Sequence, residues 1–271
     1  MPVPARKFAV LFLALLSAAA AAAQTAPPRP AFEAFDVAAI KPTPEDARGR
    51  YIRMQSGHQF QVKSYTVRNL VGAAYDLTPR AVSGGPAWAE SDRYDILAVT
   101  PGDVQPTQDE QMKMLRKLLS DRFQLTFHRE TKELSAYVLT VAKGGSKLTE
   151  SAAPSDSQPA LISTVFPEKD GGVRLGLPAR NATMGQFASI LQRAIVGRPV
   201  VDRTGLTGKY DFQLDWKPDE TQFDGSLLPA PNSTYPDFYA ALQTQLGLRL
   251  EATRAPVDTV VIDRVERPTE N

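Results

Sequence analysis

The sequence contains no cysteine and only two histidines, His58 and His128, among its 271 residues. Without cysteine there are no disulfides and no thiol nucleophile, and a bacterial lipoprotein would need a cysteine to carry its lipid. Two histidines far apart in the sequence are a poor zinc ligand set, because zinc helices carry closely paired histidines. The formal net charge is +1, which does not indicate nucleic-acid binding.

Long apolar runs are also absent, except at the amino terminus. Arg6 and Lys7 precede the apolar segment 8–16, and an alanine tract then ends at Ala23. This order of basic, apolar and small residues is typical of a secretory signal peptide. The run is too short and alanine-rich for the roughly 20 residues of a membrane span. We therefore predict a signal peptide over residues 1–23 and an exported chain, periplasmic or extracellular, with no membrane span after its removal.

Changes in composition divide the rest of the chain. Residues 24–34 are proline-rich and are predicted to form a flexible leader. Residues 143–160 are rich in glycine, serine, alanine and proline, which indicates a linker. The segments on either side of this linker, 35–142 and 161–271, are each predicted to be one α+β repeat.

Hydrophobic periodicity gives both segments the same order of elements: a hairpin, a helix, two strands, a helix and two strands. In the first segment, the predicted helices are 66–75 and 109–121. The predicted strands outside the hairpin are 35–42, 94–99, 123–128 and 136–142. In the second segment, the predicted helices are 183–191 and 237–246. The predicted strands outside the hairpin are 210–216, 248–253 and 259–265. We predict an α+β fold of two tandem, pseudo-symmetric repeats, each with two helices on a mostly antiparallel sheet.

Landmark residues recur at nearly constant spacing. Thr66 and Thr183, which begin equivalent predicted helices, lie 117 residues apart (183 − 66), and the Tyr-Asp pairs at Tyr94 and Tyr210 lie 116 apart (210 − 94). Apolar positions near the end of each segment match at an offset of 123 (242 − 119). Chance agreement is the alternative, but the shared threonine and Tyr-Asp landmarks favour duplication.

Eight blocks of sequence carry a family resemblance: 35–42, 84–88, 91–96, 118–125, 128–133, 198–212, 242–257 and 266–268. Together they cover nearly all of the predicted exported chain, and they resemble the soil-associated, Solibacter-type family of exported proteins of unknown function. The resemblance implies no activity, cofactor or catalytic residue. The resemblance extends to extracytoplasmic domains of penicillin-sensor-type membrane peptidases, which favours sensing or binding by analogy.

No catalytic motif is complete. The chain has no Gly-x-Ser-x-Gly elbow and no serine followed three residues later by lysine, so the usual serine nucleophiles are missing. The run 205–209 resembles part of a phosphate loop, but Arg203 and Tyr210 stand where that loop needs glycine and a serine or threonine. Residues 202–205 resemble an aspartic protease loop with one residue inserted. Two such loops must face each other to share a proton, and the chain has no second copy. We predict no cofactor and no metal site.

Two sets of residues are the site candidates. The candidate ligand or partner surface consists of aromatic, basic and histidine side chains: Trp88, Arg93, Tyr94, His128, Arg203, Tyr210 and Trp216. The predicted structural pins are aspartates beside the two Tyr-Asp strands, where they would fix strand register: Asp92, Asp95, Asp202 and Asp211.

The sequence thus favours an exported, non-enzymatic binding or sensor-type module for an unknown protein, peptide or envelope ligand. Its contact surface would be a groove between the two repeats or an exposed sheet edge. The alternative is an extracytoplasmic hydrolase that uses the same aspartates at the junction of the repeats. Two buried carboxylates in one cleft would favour that enzyme.

Overall fold

The computed structural model describes residues 29–154, 157–220, 222 and 227–268. The predicted signal peptide, residues 1–23, and residues 24–28 of the predicted leader lie outside the described residues. The strands, in chain order, are β1 (Val37–Pro42), β2 (Tyr51–Met54), β3 (Gln59–Thr66), β4 (Val82–Gly84), β5 (Arg93–Val99), β6 (Thr126–Val141), β7 (Thr149–Glu150), β8 (Ala160–Leu161), β9 (Thr164–Pro167), β10 (Val173–Ala182), β11 (Val200–Asp202), β12 (Tyr210–Trp216) and β13 (Leu248–Arg264).

The helices are short except for one. They are α1 (Val67–Ala74), α2 (Trp88–Ser91), α3 (Gln108–Arg122), α4 (Met184–Ile190) and α5 (Phe238–Ala241). A 3₁₀ turn follows α1 at Pro79–Ala81, and π-helical turns continue α4 through Leu191–Ile195 and α5 through Leu242–Leu246. The predicted α+β class is confirmed.

Threonine side chains set the start of two helices, as predicted. The Thr66 hydroxyl oxygen accepts a hydrogen bond from the amide of Asn69 at 3.2 Å, and Thr183 accepts one from Gln186 at 3.2 Å. Each bond satisfies an amide that the first helical turn leaves without a backbone partner. Thr107 starts α3 in the same way, within a full capping box.

The strands form three sheets. The first sheet has the order β1-β5-β3-β2 and is antiparallel throughout. The last has the order β7-β12-β10-β8, with β9 also paired to β10, and it is antiparallel as well. Between them, the middle sheet has the order β11-β6-β13-β4 and mixes parallel with antiparallel pairs.

The middle sheet is made by both predicted repeats. Strand β4 of the first pairs in parallel with β13 of the second, and β11 of the second pairs in parallel with β6 of the first. The partner of Val82 is Val260 and the partner of Val200 is Tyr137, and Tyr137 and Val260 differ by the same 123 positions (260 − 137). A pseudo-symmetric pair of repeats would show this exchange, although the duplication itself stays a prediction.

The two closing strands predicted for each segment are one continuous strand in the structure, so that prediction was wrong. The polar stretch 129–133 inside β6 was taken as a break between 123–128 and 136–142. This polar stretch remains part of the strand because its backbone pairs with β13. The side chains of Arg129, Thr131 and Glu133 remain exposed. Strand β13 is continuous for the same reason.

The predicted leader and linker also differ from the structure. Phe32, within the predicted leader, is only 1% exposed, and the guanidinium of Arg29 donates two hydrogen bonds to the carboxylate of Glu110. The fold therefore begins before residue 35. Within the predicted linker 143–160, Thr149–Glu150 pairs with β12, so part of this segment is an edge strand.

Two large apolar cores contact the middle sheet at the two ends of β13, through Val260 and Ile262 in the first and Leu248 and Leu250 in the second. The first is centred on large buried residues that include Phe60, Leu70 and Leu119, and the second includes Phe187 and Trp216. In the part of the chain that the structure describes, no helix is long and apolar enough to cross a membrane.

Candidate functional site

A cleft opens where the two predicted repeats meet, and we call it the junction cleft. Its volume is about 730 Å³, within the range of about 300–1,000 Å³ typical of small-molecule sites. The lining residues from the first repeat include the apolar side chains Ile52, Met54, Leu77 and Met112. Those from the second repeat are Gln192, Arg193 and Gly197.

Three elements of the first repeat position the cleft wall. Strand β2 is an edge strand and contributes Ile52 and Met54. Asn69 and Ala73 lie four residues apart on α1, and this spacing places them on one helix face. Helix α3 supplies Met112 among glutamine amides, so the wall combines apolar surface with hydrogen-bonding groups.

Asp76 joins the two repeats beside the cleft. Its carboxylate accepts a hydrogen bond from the Ser189 hydroxyl at 2.7 Å and lies 3.1 Å from Nε of Arg193. Its backbone carbonyl accepts a hydrogen bond from Gln192 at 2.7 Å. Arg193 is therefore held at the cleft by a residue of the opposite repeat.

Thr78 is the most unusual residue of the cleft. It is 4% exposed, and its hydroxyl has no hydrogen-bond partner among the described residues. Leaving a buried hydroxyl without a partner costs about 1–3 kcal/mol. Thr78 is also one of the residues that line the cleft.

Two arginines approach Tyr65 from the cleft. The guanidinium carbon of Arg50 lies 5.6 Å from the centre of the Tyr65 ring. Burial raises the pKa of Tyr65, and the charges of Arg50 and Arg193 offset only part of that rise. The phenol therefore stays protonated and can donate a hydrogen bond at neutral pH.

The junction cleft continues into a second cavity of about 620 Å³, which we call the arginine pocket. Arg50, Arg68 and Arg93 line it together with Glu90. Arg50 and Asn69 line both cavities. The two cavities are therefore neighbouring parts of one groove beside α1.

A third cavity, of about 510 Å³, extends the groove in the other direction. It shares Ala73, Met112 and Arg193 with the junction cleft and reaches Leu161 and Ile162 of the second repeat. The side chain of Ile162 is largely exposed. The groove thus has a basic end, an apolar and amide-lined middle, and a more apolar far end.

Asp95, a predicted pin, is hydrogen-bonded at an irregularity of the first sheet. Its carboxylate accepts hydrogen bonds from the Thr43 hydroxyl at 2.7 Å, the Ser64 amide at 2.9 Å and the ammonium of Lys63. Ser64 has a positive φ of 58° and lies where the β3–β5 register shifts. Burial alone would raise the pKa of Asp95, but the bonds from Lys63, Thr43 and Ser64 outweigh it and lower the pKa.

Asp211 has the corresponding arrangement in the last sheet. It accepts a hydrogen bond from the amide of Asn181 at 2.8 Å, and Asn181 has a φ of 50° at the register shift between β10 and β12. The bond from Asn181, with the Ser151 hydroxyl and nearby Arg180, holds the pKa of Asp211 below its ordinary value. Both aspartates thus bind the backbone of a bulge.

The other two predicted pins have different partners. Asp92 accepts hydrogen bonds from the guanidinium of Arg267 at 2.8 and 3.1 Å, and this contact holds the pKa of Asp92 below its ordinary value. Asp202 accepts from the amide and hydroxyl of Thr204 at 2.9 and 2.8 Å, which closes a local turn.

We expect the Asp95→Ala variant to lose about 1–2 kcal/mol of folding free energy. The change leaves the partly buried Ser64 amide and Lys63 without their acceptor, and solvent access to the site limits the loss. Because the folded-state pKa is lowered, the stabilisation is present above the ordinary carboxyl value of 3.8 and fades as pH falls through the lower folded pKa. Urea unfolding at pH 7 and at acidic pH measures both effects.

Asp211→Ala should shift stability in the same direction by a smaller amount, since its ionic partner Arg180 is exposed and lies 3.6 Å away. The control is Asp103→Ala, at an exposed loop position, which should leave the unfolding curve unchanged. Unchanged curves for both Asp95→Ala and Asp211→Ala would contradict the structural role.

Three members of the predicted ligand surface are buried, and that prediction was wrong for them. Tyr94 is 4% exposed, Tyr210 is 7% exposed and Trp216 is fully buried. Alternate residues of a strand share one face, and these three lie on the core-facing sides of β5 and β12. Tyr94 packs edge-on against Phe123, and Trp216 packs against Phe238.

The remaining members are more accessible, but they do not gather in one place. Arg93 lines the arginine pocket. Trp88 is half-buried beneath the guanidinium of Arg267, 4.8 Å from the ring centre. His128 is exposed, and its Nδ1 lies 2.8 Å from the carboxylate of Asp263. The sequence did not identify Asp263 as the partner of His128. Arg203 is exposed on the loop after β11.

The four aspartates of the alternative hydrolase do not meet in a cleft. Asp92, Asp95, Asp202 and Asp211 have the separate partners described above, and none lines the junction cleft, the arginine pocket or the third cavity. The described part of the chain also has no group of three or more histidine, aspartate or glutamate side chains able to hold a metal ion.

Sequence reasoning missed most of the cleft. Arg50, Tyr65, Thr78 and Arg193 come from separate segments, and no local motif marks any of them. One signal was present in Gln105, Gln108 and Gln111, glutamines at every third position. This spacing places Gln108 and Gln111 on one face of α3, which Gln105 precedes, and the structure places all three in the cleft wall.

The structure defines a mixed α+β protein with three sheets and a cleft between two halves. The family described as "Protein of unknown function (DUF3738)" matches residues 68–265. The match covers well over half of the chain, so the chain belongs to this family. No curated protein and no solved structure matches the chain.

Proposed function

We propose that the protein is an exported binding or sensor-type module that holds a peptide segment in the junction cleft. The observation that carries this proposal is the buried hydroxyl of Thr78, a residue that lines the cleft, because this hydroxyl has no partner among the described residues. Natural proteins leave few buried polar groups unpaired, and those that they leave often mark functional positions. A hydrogen-bonding ligand would satisfy Thr78.

The chemistry of the wall favours a peptide. Ile52, Met54 and Met112 offer apolar surface, and Met side chains adapt to differently shaped partners. The glutamine amides of the wall supply both donors and acceptors. A peptide segment presents the matching combination of apolar side chains and backbone amides.

An edge strand adjoins the cleft and would add backbone hydrogen bonds. The Gln55 amide donates to the Gln59 carbonyl at 2.7 Å. Hydrogen-bonded and non-hydrogen-bonded residue pairs alternate along an antiparallel ladder. Counting from the hydrogen-bonded Gln55, the residues Ile52 and Met54 belong to non-hydrogen-bonded pairs. Their amide and carbonyl groups therefore face away from β3. These groups suit an added peptide strand.

Export is part of the proposal, as is a soil-type origin for the family, and both rest on the sequence. The basic, apolar and small-residue segments of 1–23 support export. Intact mass of the protein from its native host should show a chain that begins at or near Gln24. A chain that retains Met1 would contradict export.

Methionine methyl groups provide a direct test of the cleft. Met54 and Met112 line it, while Met114 and Met184 are buried elsewhere. We expect titration of ¹³C-methyl-methionine-labelled full chain with N-acetyl-leucyl-phenylalanine amide to shift the Met54 and Met112 resonances saturably. The resonances of Met114 and Met184 should not move.

A matched pair of variants controls this experiment. Ala73→Phe fills the cleft from α1 and should abolish the shifts. Ala194→Phe introduces the same side chain at an exposed helical position outside the cavities and should leave them intact. No shift in the wild type at millimolar dipeptide, or equal shifts of all four resonances, would contradict the proposal.

A further inference from the structure

We propose that the ligand of the junction cleft carries an anionic group, a carboxylate or a phosphate, which the arginine pocket binds. This inference rests on the proposed function, because it concerns the basic end of the same groove. It makes Arg50 the residue that discriminates charged from neutral ligands.

The arginine pocket has an excess of positive charge. Three guanidinium groups, those of Arg50, Arg68 and Arg93, surround a cavity of about 620 Å³ that contains one carboxylate, that of Glu90. Arg68 is paired with Glu90. Within the described residues, Arg50 and Arg93 make no ion pair, so two positive charges face the cavity uncompensated.

Free hydrogen-bond donors accompany this charge. Nε of Arg68 is buried and has no hydrogen-bond partner among the described residues, although the same guanidinium contacts Glu90. A guanidinium presents its N–H groups in a planar fork that matches the oxygens of a carboxylate or phosphate. The guanidinium groups of Arg50 and Arg93, which line the cavity, therefore offer the donors that an anion requires.

Arg50 connects the anion site to the cleft. It lines both cavities, as does Asn69. Its guanidinium lies against the ring of Tyr65, and this contact limits the conformations of a side chain that would otherwise be free in solvent. A ligand whose apolar body lies near Met54 would thus place an attached anionic group beside Arg50.

The test compares two ligands that differ only in charge. Calorimetric titration of the full chain uses N-acetyl-leucyl-phenylalanine, which has a free carboxylate, and its neutral amide. We expect the acid to bind the wild type about tenfold or more tightly than the amide, as a charge-assisted hydrogen bond would give. Arg50→Gln should remove this difference between acid and amide.

Arg53→Gln is the matched control. Arg53 lies on β2, three residues after Arg50. It stacks on Tyr51 and contacts Gln61, and it lines neither cavity. Its replacement removes the same charge close by, so the preference for the acid should persist. Equal loss in Arg53→Gln and Arg50→Gln would show a general charge effect and overturn the inference.

The outcomes separate the two proposals. Equal binding of acid and amide to the wild type would overturn the anion site and leave the cleft proposal standing. Binding of neither ligand would overturn both. Inorganic phosphate that displaces the acid from the wild type would identify phosphate as an accepted group, whereas acid binding that resists phosphate would identify a carboxylate site.

Discussion

Replacement of Trp216 by alanine should lower the free energy of unfolding by about 3–5 kcal/mol, as for other large buried aromatic residues. Trp216 is fully buried, its ring centre lies 5.3 Å from that of Phe238, and its indole nitrogen donates to Gln222 at 3.0 Å. Truncation would leave a cavity and would leave the Gln222 side-chain oxygen without its donor. Urea unfolding followed by circular dichroism measures the loss.

Trp88→Ala is the control for this prediction. Trp88 is the only other tryptophan and is half-buried beneath Arg267, so its loss should cost much less than that of Trp216. If Trp216→Ala instead left unfolding unchanged and abolished binding of the dipeptide probe, the ligand-surface role predicted from the sequence would be right and the core assignment wrong.

Gly84→Ala should cost about 2–4 kcal/mol, because two penalties add at this position. Gly84 has a φ of 77°, which strains any residue with a Cβ atom. That Cβ would also lie 2.6 Å from the Ile262 carbonyl oxygen of the adjacent strand β13. The substitution therefore disrupts the pairing of β4 with a strand of the other predicted repeat.

Gly171→Ala separates the two penalties. Gly171 has a similar φ of 81°, but a Cβ there would meet no atom within 4 Å, so it reports the backbone strain alone, about 1–2 kcal/mol. Because the middle sheet contains strands of both repeats, Gly84→Ala should unfold in a single transition at lower urea. Two separate transitions, or equal losses in the two variants, would contradict this account.

Local patterns predicted the elements whose signals are contained in a few neighbouring residues. Thr66 and Thr183 start helices because a hydroxyl caps the next turn whatever surrounds it. Strand β12 was predicted with its observed bounds, 210–216. The continuous strand β6 was not predicted, since the pairing of its polar stretch depends on β13, more than a hundred residues later.

The site depends even more on distant contacts. The sequence leaves Trp216 between a core or rim position and a ligand surface, and the packing of Phe238 against it places it in the core. Thr78 has no sequence feature that marks its hydroxyl as unpaired, because burial and the absence of partners are properties of the folded surroundings. Arg50 and Arg193 approach the same tyrosine from different repeats, so no spacing along the chain relates them.

The central claim is that both repeats together form a ligand cleft, and photo-crosslinking tests it most directly. The full chain is irradiated with N-acetyl-leucyl-phenylalanine amide in which photo-leucine replaces leucine, and the adducts are located by mass spectrometry. We predict adducts on both walls of the junction cleft, near Met54 or Met112 of the first repeat and near Gln192 of the second. Adducts confined to one repeat, or placed at Trp88 and His128, would contradict the claim.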